Sequence, residues 1–173
     1  MPNLELTIIR IRKKINADRE LYRKNEQSVR KNLIEPILDS IGWKTNEPKY
    51  VIPNQTIDNN VPDYTLKSRD TPILYVEAKD MDTNIGKNEN LQQIGKYGWN
   101  EGHQFGIISN GSRWILFKTF VEKTKLNERI LWDMDLENDD IELILAQFDT
   151  ICRKNIHKDI EKSAKEIQKF GNR

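Results

Sequence analysis

Val61-Pro-Asp63-Tyr-Thr-Leu66 and Ile73-Leu-Tyr-Val-Glu77-Ala-Lys79 are the two runs on which the reading of this chain turns. Between them, Lys67-Ser-Arg-Asp-Thr-Pro72 is turn chemistry, so the pair reads as a β-hairpin. Side chains alternate along a strand. Ile73, Tyr75, Glu77 and Lys79 therefore share one face, and Leu74, Val76 and Ala78 share the other. A strand that is apolar on both faces and turns charged only at its C-terminal end delivers ionisable groups to a cleft. With the hairpin centred near Asp70, paired residue numbers sum to 140, which sets Asp63 opposite Glu77 and Thr65 opposite Tyr75. Directly opposed residues hold their Cβ atoms about 4.5–5.5 Å apart. A slip of one residue would turn one acid to the other face.

Two carboxylates held that close repel each other, and a divalent cation removes the conflict. Mg²⁺ accepts one or two carboxylates and keeps several waters, which suits Asp63 and Glu77; Mn²⁺ is expected to substitute. Lys79, one pleat further on, is placed to orient or deprotonate a water and to balance developing negative charge. The same residues admit a plainer reading: Asp63 caps the turn after Pro62, and Glu77 with Lys79 forms an ion pair.

Working outward, Leu4, Ile8, Ile11, Ile15 and Tyr22 recur at helical spacing, with a break at Asp18. Helical spacing resumes from Asn25 through Val29, Leu33, Ile37, Leu38 and Ile41. Pro36 predicts a kink and Gly42 a stop. A first strand is expected over Lys49–Ile57, weakened by Pro53. Asn88–Trp99 reads as a helix. Phe105–Ser109 and Arg113–Phe120 read as strands about the hairpin signal Asn110-Gly111, and Glu128–Asp133 as a further strand. Ile141, Ile144, Leu145, Phe148 and Ile151 predict an amphipathic helix, and His157–Phe170 another. Trp43 and Trp114 are expected in the core rather than against a base. Helices, then a mostly antiparallel cluster of strands with one helix inserted, then helices again, read as a sheet with helical cover. We read residues 1–173 as one domain, with an N-terminal helix over 1–24 and a helical tail over 138–173.

With 173 residues and 36% hydrophobic content, the chain can bury a core, and its mean hydropathy of −0.76 with no 20-residue apolar run argues against a membrane span. Charges interrupt the apolar N-terminus MPNLELTIIRIRKKIN, so no secretory signal is expected. One cysteine, Cys152, excludes an internal disulfide and fits a reducing cytoplasm; with only His103 and His157 beside it, a protein-only zinc site is excluded. The net charge is +1, yet Arg10–Lys31 and the segment from Arg153 are basic, while Asp133–Asp149 carries acids and no Lys or Arg. The basic segments are candidate phosphate contacts.

Pro62-Asp63, thirteen intervening residues and Glu77-Ala78-Lys79 resemble the PD-(D/E)xK nuclease signature. Asn25-Glu26-Gln-Ser-Val-Arg30 through Leu33-Ile-Glu-Pro36-Ile-Leu38 to Gly42-Trp43 resembles the opening helix of the N-terminal nuclease domain of type I restriction enzyme R subunits. Gln93-Ile-Gly-Lys-Tyr97 is similar to that group's Gln-x-x-x-Tyr element, and Gly106–Phe117 to its next hairpin.

The resemblance implies an α/β fold, a restriction-endonuclease-like central mixed sheet flanked by helices, and Mg²⁺-dependent hydrolysis of DNA phosphodiesters. Asp63 and Glu77 would be metal ligands, with the Ala78 carbonyl and Glu26 as further candidates, and Lys79 the catalytic lysine. Gln93, Tyr97 and Arg30 are the expected DNA contacts. The chain carries no Gly-x-x-x-x-Gly-Lys-Ser/Thr loop, so neither a motor nor a nucleotide cofactor is expected. DNA is the expected partner, with a second copy through the N-terminal seam, or a partner subunit, beside it. The alternative is a non-catalytic DNA-binding or docking module on the same scaffold.

Overall fold

A computed structural model describes residues 2–56, 61–101 and 104–171, without the side chains of 2, 94, 97–101 and 169–171. Helix α1 spans Pro2–Arg23, and Asp18 leaves helical geometry inside it (φ −128°, ψ 33°), at the break that the spacing predicts. The seam Leu4, Ile8, Ile11, Ile15 and Tyr22 is almost fully buried within this chain, in the core shared with the following helices. It is therefore not the self-association surface the sequence suggested: this chain already covers it. Some of the basic arm is also spent internally. Arg12 donates to the Leu136 and Asp139 carbonyls, and Arg19 and Arg23 pair with Glu137 and Asp82.

Asn25 caps the next helix by accepting Ser28 N–H (2.9 Å). That helix runs as α2 (Glu26–Val29), a widened π-type turn (Arg30–Ile34) and α3 (Glu35–Ser40). The irregularity comes just ahead of Pro36, whose ring lacks an N–H and crowds the carbonyl four residues back. Gly42 (φ +93°) ends α3: its N–H reaches Asp39 and Trp43 N–H reaches Leu38. Trp43 is then buried, its indole donating to the Ile151 carbonyl (3.0 Å).

Six strands follow: β1 (Val51–Pro53), β2 (Tyr64–Ser68), β3 (Thr71–Ala78), β4 (Phe105–Ser109), β5 (Arg113–Lys118) and β6 (Ile130–Asp135). They lie in sequence order, all neighbours antiparallel except β3 and β4, which are parallel. Parallel strands need a crossover, and helix α4 (Asn88–Glu101) supplies it. β1 is shorter than expected: it stops at Pro53, Asn54 takes a left-handed φ of 48°, and Ile57 lies outside the described residues. β6 starts two residues late because Leu126–Arg129 forms a 3₁₀ turn. Helices α5 (Ile141–Ile151) and α6 (Ile160–Gly171) close the chain, α5 capped by Asp140. Among the described residues no helix is long and apolar enough to cross a membrane.

Alternation splits the core as the pattern predicts. Leu74, Val76, Ala78, Ile107, Trp114 and Leu116 join the helices α1–α3, α5 and α6 in a large cluster. Tyr75, Ile108, Ile115 and Phe117 face the other way, under Ile85 and Leu91 of the α4 side. Gly111 (φ +87°) makes the β4–β5 turn, and a Cβ there would lie 2.6 Å from Leu33 Cδ1, so this turn rests directly on the helix bearing Arg30.

Candidate active site

The β2–β3 hairpin pairs Tyr64 with Val76, Thr65 with Tyr75 and Leu66 with Leu74, which is the expected register. Nearer the turn the pairing differs by one: Lys67 faces Pro72 and Ser68 faces Thr71. A bulge between Leu66 and Lys67 absorbs the difference. The turn itself is only Arg69-Asp70, both left-handed (φ 51° and 63°), as a two-residue hairpin connection requires. Asp63 sits one residue before β2, at the level of the C-terminal end of β3, and is 9% exposed; Glu77 is 4% exposed.

Each acid has partners. Asp63 Oδ2 accepts Ala78 N–H (2.7 Å), and Asp63 Oδ1 accepts from Arg30 Nη1 (2.9 Å). Glu77 Oε1 accepts from Lys79 Nζ (2.6 Å) and from Gln93 Nε2 of α4 (2.6 Å). The sheet end thus draws one polar group from each side: Arg30 from the α2–α3 helix and Gln93 from the crossover helix. Parallel β3 and β4 both finish here, Ala78 beside Ser109, and Lys79 N–H donates to the Ser109 carbonyl (2.9 Å). The C-terminal ends of parallel strands are where open α/β sheets place their ligand sites.

Glu26, half-buried at the start of α2, reports the local field. Desolvation pushes its carboxyl above the ordinary range, the negative charge of Asp63 adds to this, Lys79 and Arg30 oppose it, and Asp80 adds again. Glu26, Asp63 and Asp80 therefore act on one another here, against Arg30 and Lys79. Among the described residues no three His, Cys, Asp or Glu side chains are grouped so that they could hold a metal ion. Asp63 and Glu77 are the buried carboxylates that could hold a hard, water-completed ion such as Mg²⁺, which takes few protein ligands. Asp63, Glu77, Lys79, Gln93, Arg30, Ala78 and Glu26 are all at this strand end. Tyr97 lies on α4, but its side chain is outside the described residues.

Three residues here carried no readable signal. Tyr64 OH accepts from Arg30 Nε (3.1 Å) and donates to Glu35 Oε1 (3.0 Å), and Asn54 Oδ1 accepts from Arg30 Nη1 (3.3 Å). Arg30 also lies over the Tyr64 ring, 4.8 Å from its centroid. Burial drives the Tyr64 hydroxyl far above the ordinary tyrosine range, so it remains a protonated donor to Glu35. Arg30 and Glu35 are five apart, about 140° round an ordinary helix. Only the widened turn brings both to Tyr64, and no helical periodicity anticipates that.

No protein-family model and no curated protein matches the chain. Among solved structures it is similar to the type IIG restriction endonuclease BpuSI, with a TM-score of 0.58 and 18% identity over 84% of this chain. The match spans 18% of that much longer protein. The six-stranded mixed sheet flanked by helices is a restriction-endonuclease-like α/β fold.

Proposed function

We propose that this chain is a metal-dependent deoxyribonuclease of the PD-(D/E)xK type, akin to the nuclease domain of type I restriction enzymes. The observation that carries the reading is the set Asp63, Glu77 and Lys79 at one end of β3, mostly buried, within a restriction-endonuclease-like sheet. Mg²⁺ or Mn²⁺, when bound, lowers the pKa of a water and neutralises phosphate charge. Asp63 and Glu77 would hold the ion, with the Ala78 carbonyl and Glu26 as further candidates. Lys79 presents its ammonium to the charge that develops on the phosphate, and Glu77 fixes where that ammonium sits. Gln93 orients Glu77, and Gln93 and Tyr97 are the proposed DNA contacts. The proposed setting is a reducing cytoplasm, with DNA as partner and a second copy or another subunit completing a double-strand cut.

A second reading, a non-catalytic DNA-binding or docking module, draws on one observation: both acids already have cationic protein partners. Cleavage of plasmid and oligonucleotide DNA with Mg²⁺ or Mn²⁺ separates the two. Asp63→Ala, Glu77→Ala and Lys79→Ala are each expected to lose about 10²–10³-fold in rate. Cleavage without metal, or equal rates in all four proteins, sinks the nuclease reading. Salt-dependent DNA binding with no cleavage under any metal selects the module.

A further inference from the structure

Arg30 is the cation that the proposed chemistry does not use. Its side chain is 13% exposed, which leaves little of it for a DNA phosphate. Nη1 is held by Asp63 Oδ1 and Asn54 Oδ1, and Nε by Tyr64 OH. Tyr64 is in turn held by Glu35, which also receives Lys31 Nζ on both oxygens (2.9 and 3.0 Å). The sequence Lys31–Glu35–Tyr64–Arg30–Asp63–Ala78 N–H is one continuous chain of polar contacts; Arg30 and Lys31 stand on the widened helical turn and Glu35 directly follows it. Burial works against the Arg30 charge, yet Tyr64, Asp63 and Glu26 together hold it above its ordinary range.

We infer that Arg30 is a positioning residue. It seats the Asp63 carboxylate against the Ala78 N–H and supplies positive charge there, and it is not a contact to DNA phosphate. The planar guanidinium is suited to this because it can meet a carboxylate, a hydroxyl and an amide oxygen from one plane, which a lysine cannot. The consequence for catalysis rests on the nuclease reading. The seating of Asp63 does not.

The test uses the full chain in EDTA. A double-mutant cycle on urea unfolding compares wild type, Arg30→Met, Asp63→Asn and the double variant. The expected coupling is about tenfold in the unfolding equilibrium, and additive single effects overturn the inference. Should Arg30→Met fail to fold, Tyr64→Phe replaces it, removing only the hydroxyl that seats Nε; about threefold coupling is expected and none overturns. Binding of a short DNA duplex across a salt series gives an independent readout. Arg30→Met is expected to keep the wild-type slope, whereas a slope smaller by about 0.9 makes Arg30 a phosphate contact after all. If the wild-type chain binds no DNA, the nuclease reading fails and the unfolding cycle alone decides Arg30. With Mg²⁺ present, Arg30→Lys is expected to lower kcat about tenfold at unchanged KM, and unchanged kcat counts against the assignment.

Discussion

The two faces of the sheet are unequal. Among the described residues, 32 buried side chains fill the cluster under α1–α3, α5 and α6, against six in the cluster under α4. The hydrophobic term scales with area removed from water, so among the described residues the larger share of it lies on the first face. The proposed chemistry sits at the rim between them and takes one support from each. Asp63 is tied to the thick face through Arg30, and Glu77 to the thin face through Gln93. Supports from opposite faces of the sheet let substitutions separate folding from activity.

The sharpest way to break that contrast is on the thick face. Trp114 is fully buried and meets Phe148 edge-on (5.2 Å, 83°). Trp114→Ala is expected to cost about 3–5 kcal/mol, read by urea unfolding, with the rate per folded molecule unchanged. Gly111→Ala tests the seat of the Arg30 helix. The added methyl meets Leu33 and Val29 and sits at a left-handed φ, so a loss of about 1–3 kcal/mol is expected in the same measurement. On the thin face, Gln93→Ala is expected to slow cleavage about tenfold, some 1.4 kcal/mol in barrier, while shifting unfolding far less than Trp114→Ala.

The smallest effect sharpens the electrostatic side. A carboxyl whose folded pKa is raised disfavours the fold once ionised, so its contribution worsens as pH rises from the unfolded value through the folded one. Glu26→Gln is therefore expected to stabilise the metal-free protein at pH 7 by a few tenths of a kcal/mol, kept small by solvent screening. Unfolding at neutral pH and at a pH below both values checks it, and the difference should vanish at the lower pH.

Much of this was legible because local chemistry and tertiary demand agree. The seam Leu4–Tyr22, the stop at Gly42, the Asn110-Gly111 hairpin and the buried Trp43 and Trp114 all follow from periodicity and turn residues. The β2–β3 register was legible for a less direct reason. Counting back from the true turn at Arg69-Asp70 would set Asp63 opposite Val76, on the wrong face; the bulge at Leu66/Lys67 restores the sum that places it level with Glu77. The N-terminal seam misled because a heptad-like stripe looks the same whether its cover is a second chain or the same chain folded back. The late start of β6 was hidden because Leu126–Arg129 has neither Gly nor Pro, and Asn127 is its one turn-favouring residue.

The amino-acid order alone determined which residues alternate, where helices start and stop, and that two acids and a lysine share one strand end, because these depend on neighbours in the chain. Only the tertiary structure decided that β3 and β4 run parallel, that the α1 seam is covered from within, and that Arg30 ends on Asp63. Those outcomes depend on groups brought together from Glu26–Glu35, Asn54–Tyr64, Glu77–Lys79 and Gln93. The widened turn ahead of Pro36 gains its meaning only from the tyrosine it meets across the fold.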